Sequence, residues 1–210
     1  GKGSVGDLSE SDVKDLVKGA SRLVADEEKA ASGSGGLLAK ARGDYRRILM
    51  ALYGEGRYGG TISILVDGRE AANLPPDAQL PDTSKIVINV DPGPQFLFAR
   101  ASINELAPPT DDRRDQVQSP EKAGFKSGEI AKSGTILKAE RLAVEAWRQQ
   151  GYAKAKVTRE DIVADHEGNV LNADITLEPG RVAHYGPVKV QGTARMDPEF
   201  VAYMTDLKPG

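Results

Sequence analysis

The sequence contains no cysteine and only two histidines among its 210 residues. Without thiolates, the chain cannot form a disulfide framework, a cysteine-ligated zinc site, an iron–sulfur cluster or a cysteine nucleophile. His166 and His184 are too few for a histidine-rich site, because zinc takes roughly three or four ligands from the protein. We therefore expect neither a metal site nor a cofactor.

Aromatic residues and long apolar runs are also scarce. Aromatics make up 5% of the chain, and no apolar run approaches the ~20 residues of a membrane-spanning helix. The 28 basic and 31 acidic residues give a net charge of −3, which argues against a nucleic-acid-binding protein because phosphate contacts need a basic excess. The chain starts at Gly1 without a signal-peptide pattern and stops abruptly at Gly210, so we expect a fragment of a longer protein.

Apolar residues at helical spacing predict two helices near the start of the chain. The first has its apolar face within residues 8–24, and Ser9 with Asp12 forms the pattern of a capping box. The second has its apolar face within residues 38–52 and is ended by glycine. Between the two helices, the glycine- and serine-rich residues 32–36 predict a flexible joint.

After the second helix the apolar period shortens to that of a strand. Three strands are expected at 61–66, 86–90 and 96–103, followed by a solvated, proline-bearing loop at 107–118. Beyond that loop we expect a short helix from Ser119, a longer helix at 135–150, strands at 155–164, 170–177 and 188–190, and a last helix from Asp197.

One order of elements occurs twice. A helix is followed by a glycine–aromatic turn, a hairpin and a Pro-Gly pair, first with the turn at 56–60 and then with the turn at 151–155. Internal repetition of this kind indicates tandem modules. The predicted fold class is α+β, with repeated β-α-α-β-β units that each form a three-stranded mixed sheet covered on one face by two helices.

The repetition also predicts domain limits. Residues 1–94 form the first repeat, which lacks its first strand; residues 95–186 form the second; and residues 187–210 begin a third. A sheet of three strands is narrow, so most of its strands are edges. Exposed edges are templates for pairing with another extended chain.

Three patterns follow one another along the chain: V-x-P-G-P-x-F-x-F at 90–98, L-x-P-G-R-x-x-x-Y-G at 177–186 and G-x-V-x-V-x-G at 186–192. Residues 41–58 place Asp-Tyr on a helix and Arg-Tyr in the turn that follows it. In this order, the patterns resemble tandem POTRA (polypeptide-transport-associated) domains of TamA-type outer-membrane proteins. The resemblance covers most of the chain.

The resemblance implies a series of periplasmic domains that precede a C-terminal transmembrane β-barrel of the same chain. Proteins of this outer-membrane β-barrel assembly superfamily help to insert or secrete outer-membrane proteins and autotransporters, without catalytic residues, cofactor or energy source. The implied location is the periplasmic face of the bacterial outer membrane. The implied partners are unfolded outer-membrane or autotransporter polypeptides and an inner-membrane or periplasmic subunit, with no nucleic acid.

The family handles client chains by adding a strand to an exposed edge, which pairs main chain with main chain. Two alternating segments are the candidate peptide-binding edges. The first comprises Thr61, Ile62, Ser63, Ile64 and Leu65, and the second comprises Lys156, Val157, Thr158 and Arg159.

The alternative is a small α+β periplasmic enzyme that acts on a small molecule or a glycan. It needs a pocket in which carboxylates with perturbed pKa values converge. Glu160, Asp161, Asp165 and His166 come nearest to such a cluster, although polar residues that alternate along a hairpin ordinarily face water. A nucleic-acid-binding module is a further alternative, but the short basic pairs lie beside acidic residues, as on a solvated face.

Overall fold

The chain folds as an α+β protein with two three-stranded sheets, which confirms the predicted fold class. The computed structural model describes residues 8–29 and 33–192. The helices are α1 (Glu10–Ala20), α2 (Arg22–Ala25), α3 (Gly33–Gly54) and α4 (Ser133–Gln149). The strands are β1 (Thr61–Val66), β2 (Arg69–Glu70), β3 (Ile86–Asp91), β4 (Leu97–Asn104), β5 (Lys156–Asp165) and β6 (Val170–Glu178).

Contacts between residues divide the chain into two compact units. The first consists of Gly1–Ala101, Gly124–Leu137 and Ile162–Ala173, and the second consists of Ser102–Ala123, Lys138–Asp161 and Asp174–Gly210.

The first predicted helix is interrupted at Ser21. α1 begins after Ser9, which forms the predicted capping box with Asp12. Ser21 has an extended backbone, with ψ at 129°, and its hydroxyl accepts a hydrogen bond from Val24 N–H at the start of α2. The prediction of one continuous helix over 8–24 is wrong, because this hydroxyl competes with the helix for the next backbone amides.

The glycine-rich residues 33–36, predicted as part of a flexible joint, belong to the first turn of α3. Glycine has a low helix propensity, so the reason lies in tertiary contacts. The Ser34 hydroxyl accepts a hydrogen bond from Leu80 N–H at 2.9 Å, which anchors this turn to the loop that leads into β3. α3 ends at Gly54, as the sequence predicts.

The first sheet has the strand order β2-β1-β3. β1 and β2 join through Asp67 and Gly68, whose φ values of 49° and 80° match a type I′ hairpin turn. β3 pairs antiparallel with β1 from Thr61↔Asp91 to Val66↔Ile86. The core that contains the inner face of this sheet consists of Leu23, Leu38, Ala41, Ile64, Val66, Ala71 and Leu74.

The second sheet has the strand order β4-β6-β5, with β5 and β6 joined by a tight turn. Leu97 N–H donates to Asn169 O at 3.2 Å, and the Ser102 hydroxyl donates to Asp174 Oδ1 at 2.5 Å. In both contacts the residue on β4 and its partner at β6 are the same number of positions apart in the sequence, so β4 and β6 run parallel. The middle strand β6 is therefore flanked by a parallel neighbour and a hairpin partner.

Other predicted elements differ from the structure. Residues 119–124 form hydrogen-bonded turns and no helix, because Gly124 adopts a φ of 101° directly after them. The loop at 107–118 contains only the short 3₁₀ turn Arg113–Asp115, so α4 is the one α-helix within residues 95–186. Residues 188–190 are not in a strand. The helix predicted from Asp197 lies outside the described residues.

Candidate peptide-binding edges

The segment Thr61–Leu65, predicted as an exposed edge, lies in the middle strand of the first sheet. Each of its residues has a partner on β3, and Leu65 also has a partner on β2. The difference arises because residues 69–70 fold back across the Asp67–Gly68 turn and form a strand too short to be recognised from alternation.

Two side chains cover the backbone of β1 at Ile64, next to the residues that β2 pairs. Glu70 Oε1 accepts hydrogen bonds from Ile64 N–H at 3.2 Å and from the Tyr45 hydroxyl at 2.6 Å. Glu70 Oε2 accepts one from the Ser63 hydroxyl at 2.7 Å. The carboxylate thus occupies the position that an added strand would need beside Ile64.

The same contacts keep the Glu70 carboxylate ionised and the Tyr45 hydroxyl protonated, as their hydrogen bond requires. Hydrogen bonds from Tyr45 and then from Ser63 lower the pKa of Glu70. Burial, followed by the hydrogen bond to Glu70, raises the pKa of Tyr45. Glu70 is therefore an ionised acceptor and Tyr45 a protonated donor at neutral pH, and such charge-assisted hydrogen bonds are stronger than neutral ones.

The hydrogen bond from Ile64 N–H to Glu70 also shows which backbone groups of β3 point away from β1. Ile64 N–H points to Glu70 and away from β3, so Ile64 and Ile88 form a non-hydrogen-bonded pair of the antiparallel ladder. Because this pattern alternates, the N–H and C=O groups of Ile86, Ile88 and Val90 point away from β1. Within residues 8–29 and 33–192, no strand pairs with that side of β3.

A groove with a volume of about 990 Å³ runs along this open side of β3. We call it the β3 groove. Its apolar lining comes from β3, from α1 and from the first turns of α3: Ile86, Ile88, Val90, Val13, Val17 and Leu37. Charged residues such as Lys14, Lys18 and Asp26 also line it. The groove therefore combines an apolar lining, charged side chains and a side of β3 that no strand pairs within the described residues.

The helical wall of the β3 groove depends on Asp44, which is fully buried on α3. Its Oδ2 accepts hydrogen bonds from the Ser21 hydroxyl at 2.5 Å and Leu23 N–H at 3.1 Å. Its Oδ1 accepts from Arg22 N–H at 2.9 Å and Arg47 Nε at 2.8 Å. Burial by itself raises the pKa of Asp44, but these hydrogen bonds outweigh burial and lower it. The carboxylate therefore caps α2 and holds it against α3.

The turn at 56–60 places the start of β1 beside the end of β3. Arg57 is almost fully buried, and its Nη1 donates to Gly93 O at 2.5 Å. A Cβ on Gly60 would lie 2.8 Å from Asp91 O, closer than a side chain tolerates against backbone. Glycine at this position therefore permits the close approach of the two strand ends.

Lys156, Val157, Thr158 and Arg159 lie at the start of β5, which is an edge strand of the second sheet. Most of β5 is exposed. Arg159 Nε lies 2.9 Å from Asp161 Oδ2, so charges of both signs line the strand. The structure thus gives this segment an edge position, and peptide binding to it stays a prediction.

The opposite edge of the second sheet is closed at the start of β4. Phe98 N–H donates to Glu129 O at 2.9 Å, and Phe98 O accepts from Gly128 N–H at 2.8 Å. Leu97 forms an isolated antiparallel bridge with Ile130. β5 is therefore the edge of this sheet that no strand or bridge covers within the described part of the chain.

The residues considered as an enzymatic cluster have separate structural environments. Glu160 interacts with Glu140 of α4. The Asp165 carboxylate accepts a backbone N–H of its own hairpin turn at 3.0 Å. The His166 ring packs edge-on against Phe96, with ring centroids 5.4 Å apart. Among residues 8–29 and 33–192, no group of three or more His, Cys, Asp or Glu side chains is arranged to hold a metal ion.

The sequence patterns did not predict the Glu140–Glu160 pair. Glu140 is 9% exposed, and burial, followed by the hydrogen bond with Glu160, raises its pKa to about 8. The sequence does contain a signal for a buried carboxyl group, because Glu140 lies at helical spacing between Ile136 and Trp147 on the buried face of α4. A carboxyl group in such a position must be protonated or paired.

No protein-family model matches the chain, and no curated protein sequence matches it. The chain is similar to POTRA domains 3–5 of BamA from Haemophilus influenzae, at 15% identity and a TM-score of 0.49 over 96% of this chain and 72% of that one. It is also similar to POTRA domains 1–3 of the periplasmic domain of Omp85 from Anabaena, at 15% identity and a TM-score of 0.42 over 98% and 73% of the two chains.

Similarity at this level assigns neither a family nor a function to the chain. Among the described residues, no helix is long and apolar enough to cross a bilayer. Within the described residues, β5 and β3 each have one side that no other strand pairs.

Proposed function

We propose that this chain is a periplasmic scaffold that docks client polypeptides for outer-membrane protein assembly, and that clients add as a strand to β5. The observation that carries the proposal is the open, exposed edge that begins with Lys156–Arg159. Strand addition needs unpaired backbone groups in register, and side chains then tune selectivity.

The composition of β5 suits temporary docking. Lys156, Arg159 and Asp161 are charged, and charged side chains on an edge discourage permanent pairing between copies. Val163 is 62% exposed on the same strand and offers apolar contact to a client. A scaffold that must release its client to a barrel needs this combination of pairing and weak affinity.

The order of the Pro-Gly, aromatic and G-x-V-x-V-x-G patterns supports a more specific version of the proposal. In that version the chain consists of two POTRA-like repeats, 1–94 and 95–186, and the start of a third at 187–210, in a protein of the TamA type. Its clients are unfolded outer-membrane or autotransporter polypeptides, it works with an inner-membrane or periplasmic subunit, and the same protein continues into a β-barrel. It has no catalytic role.

Proline substitution tests the docking strand. Successive N–H groups of a strand point to opposite sides. One of the two variants Val157→Pro and Thr158→Pro therefore loses a donor that faces outward, and the other loses a donor to β6. We expect the variant that stays folded to bind a peptide from the last strand of an outer-membrane barrel protein about fivefold more weakly, as for one lost hydrogen bond.

Thr158→Ala is the matched control, because it shortens the side chain and keeps the backbone donor. Its affinity for the same peptide should stay close to that of the unchanged chain. Equal peptide affinity in the folded proline variant and the unchanged chain would remove β5 as the docking strand.

A further inference from the structure

A pair of carboxyl groups belongs to the edge strand β5 and the helix that packs beside it. Glu140 of α4 is 9% exposed and interacts with Glu160, an exposed residue of β5. Oε1 of Glu140 has no hydrogen-bond partner within residues 8–29 and 33–192. A buried carboxyl oxygen without a donor is costly, and a carboxyl group close to another is costly to ionise. The pair is therefore stabilised by a proton or by a positive charge placed beside it.

The contact with α4 defines the face of β5 on which Glu160 lies. Successive side chains of a strand point to opposite faces, so Glu160 shares the helix-side face with Thr158. Arg159 and Asp161 lie on the opposite face, where Arg159 Nε is 2.9 Å from Asp161 Oδ2. The basic residue that precedes Glu160 in the sequence is thus directed away from the carboxyl pair and is already paired with another acid.

The surfaces that surround the pair are apolar. On α4, the residues one turn away from Glu140 in either direction carry no charge; they are Ile136, Leu137, Ala143 and Val144. On β6, the buried face consists of Leu171, Ala173, Ile175 and Leu177. The charged residues Asp174 and Glu178 of β6 alternate with these and lie on the other face of that strand.

The remaining charged groups of these elements lie farther from the pair. Lys156 is on the same face of β5 as Glu160 but four residues away, about 13 Å along the strand. Lys138 and Arg141 are exposed and lie two positions and one position from Glu140, which places them on other sides of α4. The loop after β4 contacts α4 at Trp147 and Gln150, through backbone carbonyl groups. Burial and Glu160 are accordingly the causes that raise the pKa of Glu140 to about 8.

A strand that docks on β5 brings one of its own side chains to the carboxyl pair. Residues directly opposite each other on neighbouring strands point to the same face of the sheet, with Cβ atoms about 4.5–5.5 Å apart. The client residue opposite Glu160 therefore lies on the α4 side, beside the exposed carboxyl group of the pair. The next client residues on that face are two positions away in either direction, so one position of the client is singled out.

We propose that β5 selects client strands that carry Arg or Lys at the position opposite Glu160, and that the Glu140–Glu160 pair makes this selectivity depend on pH. The inference rests on the proposed docking of clients at β5 and adds the chemistry of the preferred client. A basic side chain at that position faces two carboxyl groups, whereas an acidic one faces charge of its own sign.

The direction of the pH dependence follows from the proton that the pair holds. Below pH 8 the pair keeps one proton and carries a single negative charge. A guanidinium group beside it favours the doubly ionised pair, so the bound proton passes to the solvent when the client docks. As pH rises through 8 the pair is doubly ionised before the client arrives, and its attraction for Arg becomes stronger. Arg itself stays charged over this range.

Two synthetic peptides test the selectivity. Both have nine residues with Val at the odd positions and Thr at the even ones, except that the central residue is Arg in one and Gln in the other. A shift of one residue would turn the valine face over, so the central side chain keeps to that face. In fluorescence anisotropy with the 210-residue chain at pH 7, the Arg peptide should bind about fivefold more tightly, the upper value for one opposite-charge pair across strands.

Glu160→Gln removes the exposed carboxylate of the pair. We expect this variant to bind the Gln peptide as the unchanged chain does and to prefer the Arg peptide less than twofold. Asp161→Asn removes the same charge from the opposite face of β5 and should keep most of the preference. A fivefold preference that persists in Glu160→Gln would assign the selectivity to another group and overturn the proposal.

Glu140→Gln tests the role of the buried partner. In the unchanged chain, the ratio of the two peptide affinities should rise at least twofold between pH 6 and pH 9. In Glu140→Gln the ratio should be constant, because Glu160 then lacks an ionisable neighbour and stays charged throughout. A ratio that does not change with pH in the unchanged chain would contradict the control by the pair.

The same measurements separate this proposal from the docking on which it rests. Failure of both peptides to bind the folded chain would overturn docking at β5 and the selectivity with it. Binding of both peptides with equal affinity, abolished by proline on β5, would leave the docking strand in place and contradict the selectivity alone.

Discussion

The hydroxyl of Tyr45 on α3 lies 2.6 Å from Oε1 of Glu70 on β2. This contact connects α3 to the two-residue strand β2 and places the Glu70 carboxylate against Ile64 N–H. The carboxylate thereby covers the backbone of β1 at Ile64, beyond the two residues that β2 pairs. In the described part of the chain, β5 ends the second sheet, and β3 ends the first sheet on the side opposite β2.

Loss of the Glu70 carboxylate should expose β1. Glu70→Ala removes hydrogen bonds to a charged acceptor and should lower the free energy of unfolding by about 1 kcal/mol, since the group is only partly buried. Amide exchange at Ile64 should accelerate in the same variant, measured by NMR. Unchanged exchange at Ile64 would mean that the carboxylate does not protect this edge.

Glu70 also predicts a response to acid. Its pKa is lowered in the folded state from the ordinary value of 4.5, so its stabilising contribution is present above that pH and is lost as pH falls through the folded pKa. Thermal unfolding of the unchanged chain should therefore become easier below pH 4.5 by a margin that Glu70→Gln reduces. Equal acid sensitivity of the two chains would contradict this role.

Asp44 is expected to be the most costly of these carboxylates to remove. Asp44→Ala deletes the acceptor of four hydrogen bonds in a buried site and should destabilise the first unit by about 3 kcal/mol. Chemical denaturation measures the change. Asp15→Ala, at an exposed position of α1, is the control and should change stability by less than about 0.5 kcal/mol.

Glu140 should make stability fall as pH rises. Its folded pKa of about 8 lies above the ordinary value of 4.5, so its contribution is fully present below pH 4.5 and is lost as pH rises through 8. Glu140→Gln, which stays neutral, should flatten the dependence of unfolding free energy on pH between these values. Glu121→Gln, at an exposed position, should leave the dependence unchanged.

Gly60 and Gly54 form a matched pair of glycine substitutions. Gly60→Ala places a Cβ 2.8 Å from Asp91 O and should cost about 1–3 kcal/mol through displacement of the backbone. Gly54→Ala meets no atom within 4 Å and lies in α3, so it should be neutral or slightly stabilising. Thermal unfolding of both variants provides the comparison, and equal melting temperatures would show that the close approach at Gly60 carries no strain.

Several features of the chain between α1 and β1 can be predicted from local sequence. The capping box at Ser9 and Asp12, the end of α3 at Gly54 and the strand at 61–66 all follow from short-range patterns of capping, glycine and alternation. These features depend on residues that are neighbours in sequence, so a single sequence is sufficient.

Features that depend on distant residues were not predicted. The break at Ser21 is stabilised by Asp44, which lies far along the chain, and the helical start of α3 is anchored by Leu80. The buried Glu140 was overlooked because its partner Glu160 lies on another element. In each case a side chain on one element satisfies a backbone or carboxyl group on another.

The sequence by itself determined the α+β class, the helices α3 and α4 and the five long strands, because period, caps and turns are local properties. Only the tertiary structure decided which strands are edges. Thr61–Leu65 and Lys156–Arg159 alternate alike in sequence, yet the first belongs to the middle strand of its sheet and the second to an edge strand. The physical reason is that an edge is defined by what pairs with a strand, and pairing depends on residues that the strand does not contain.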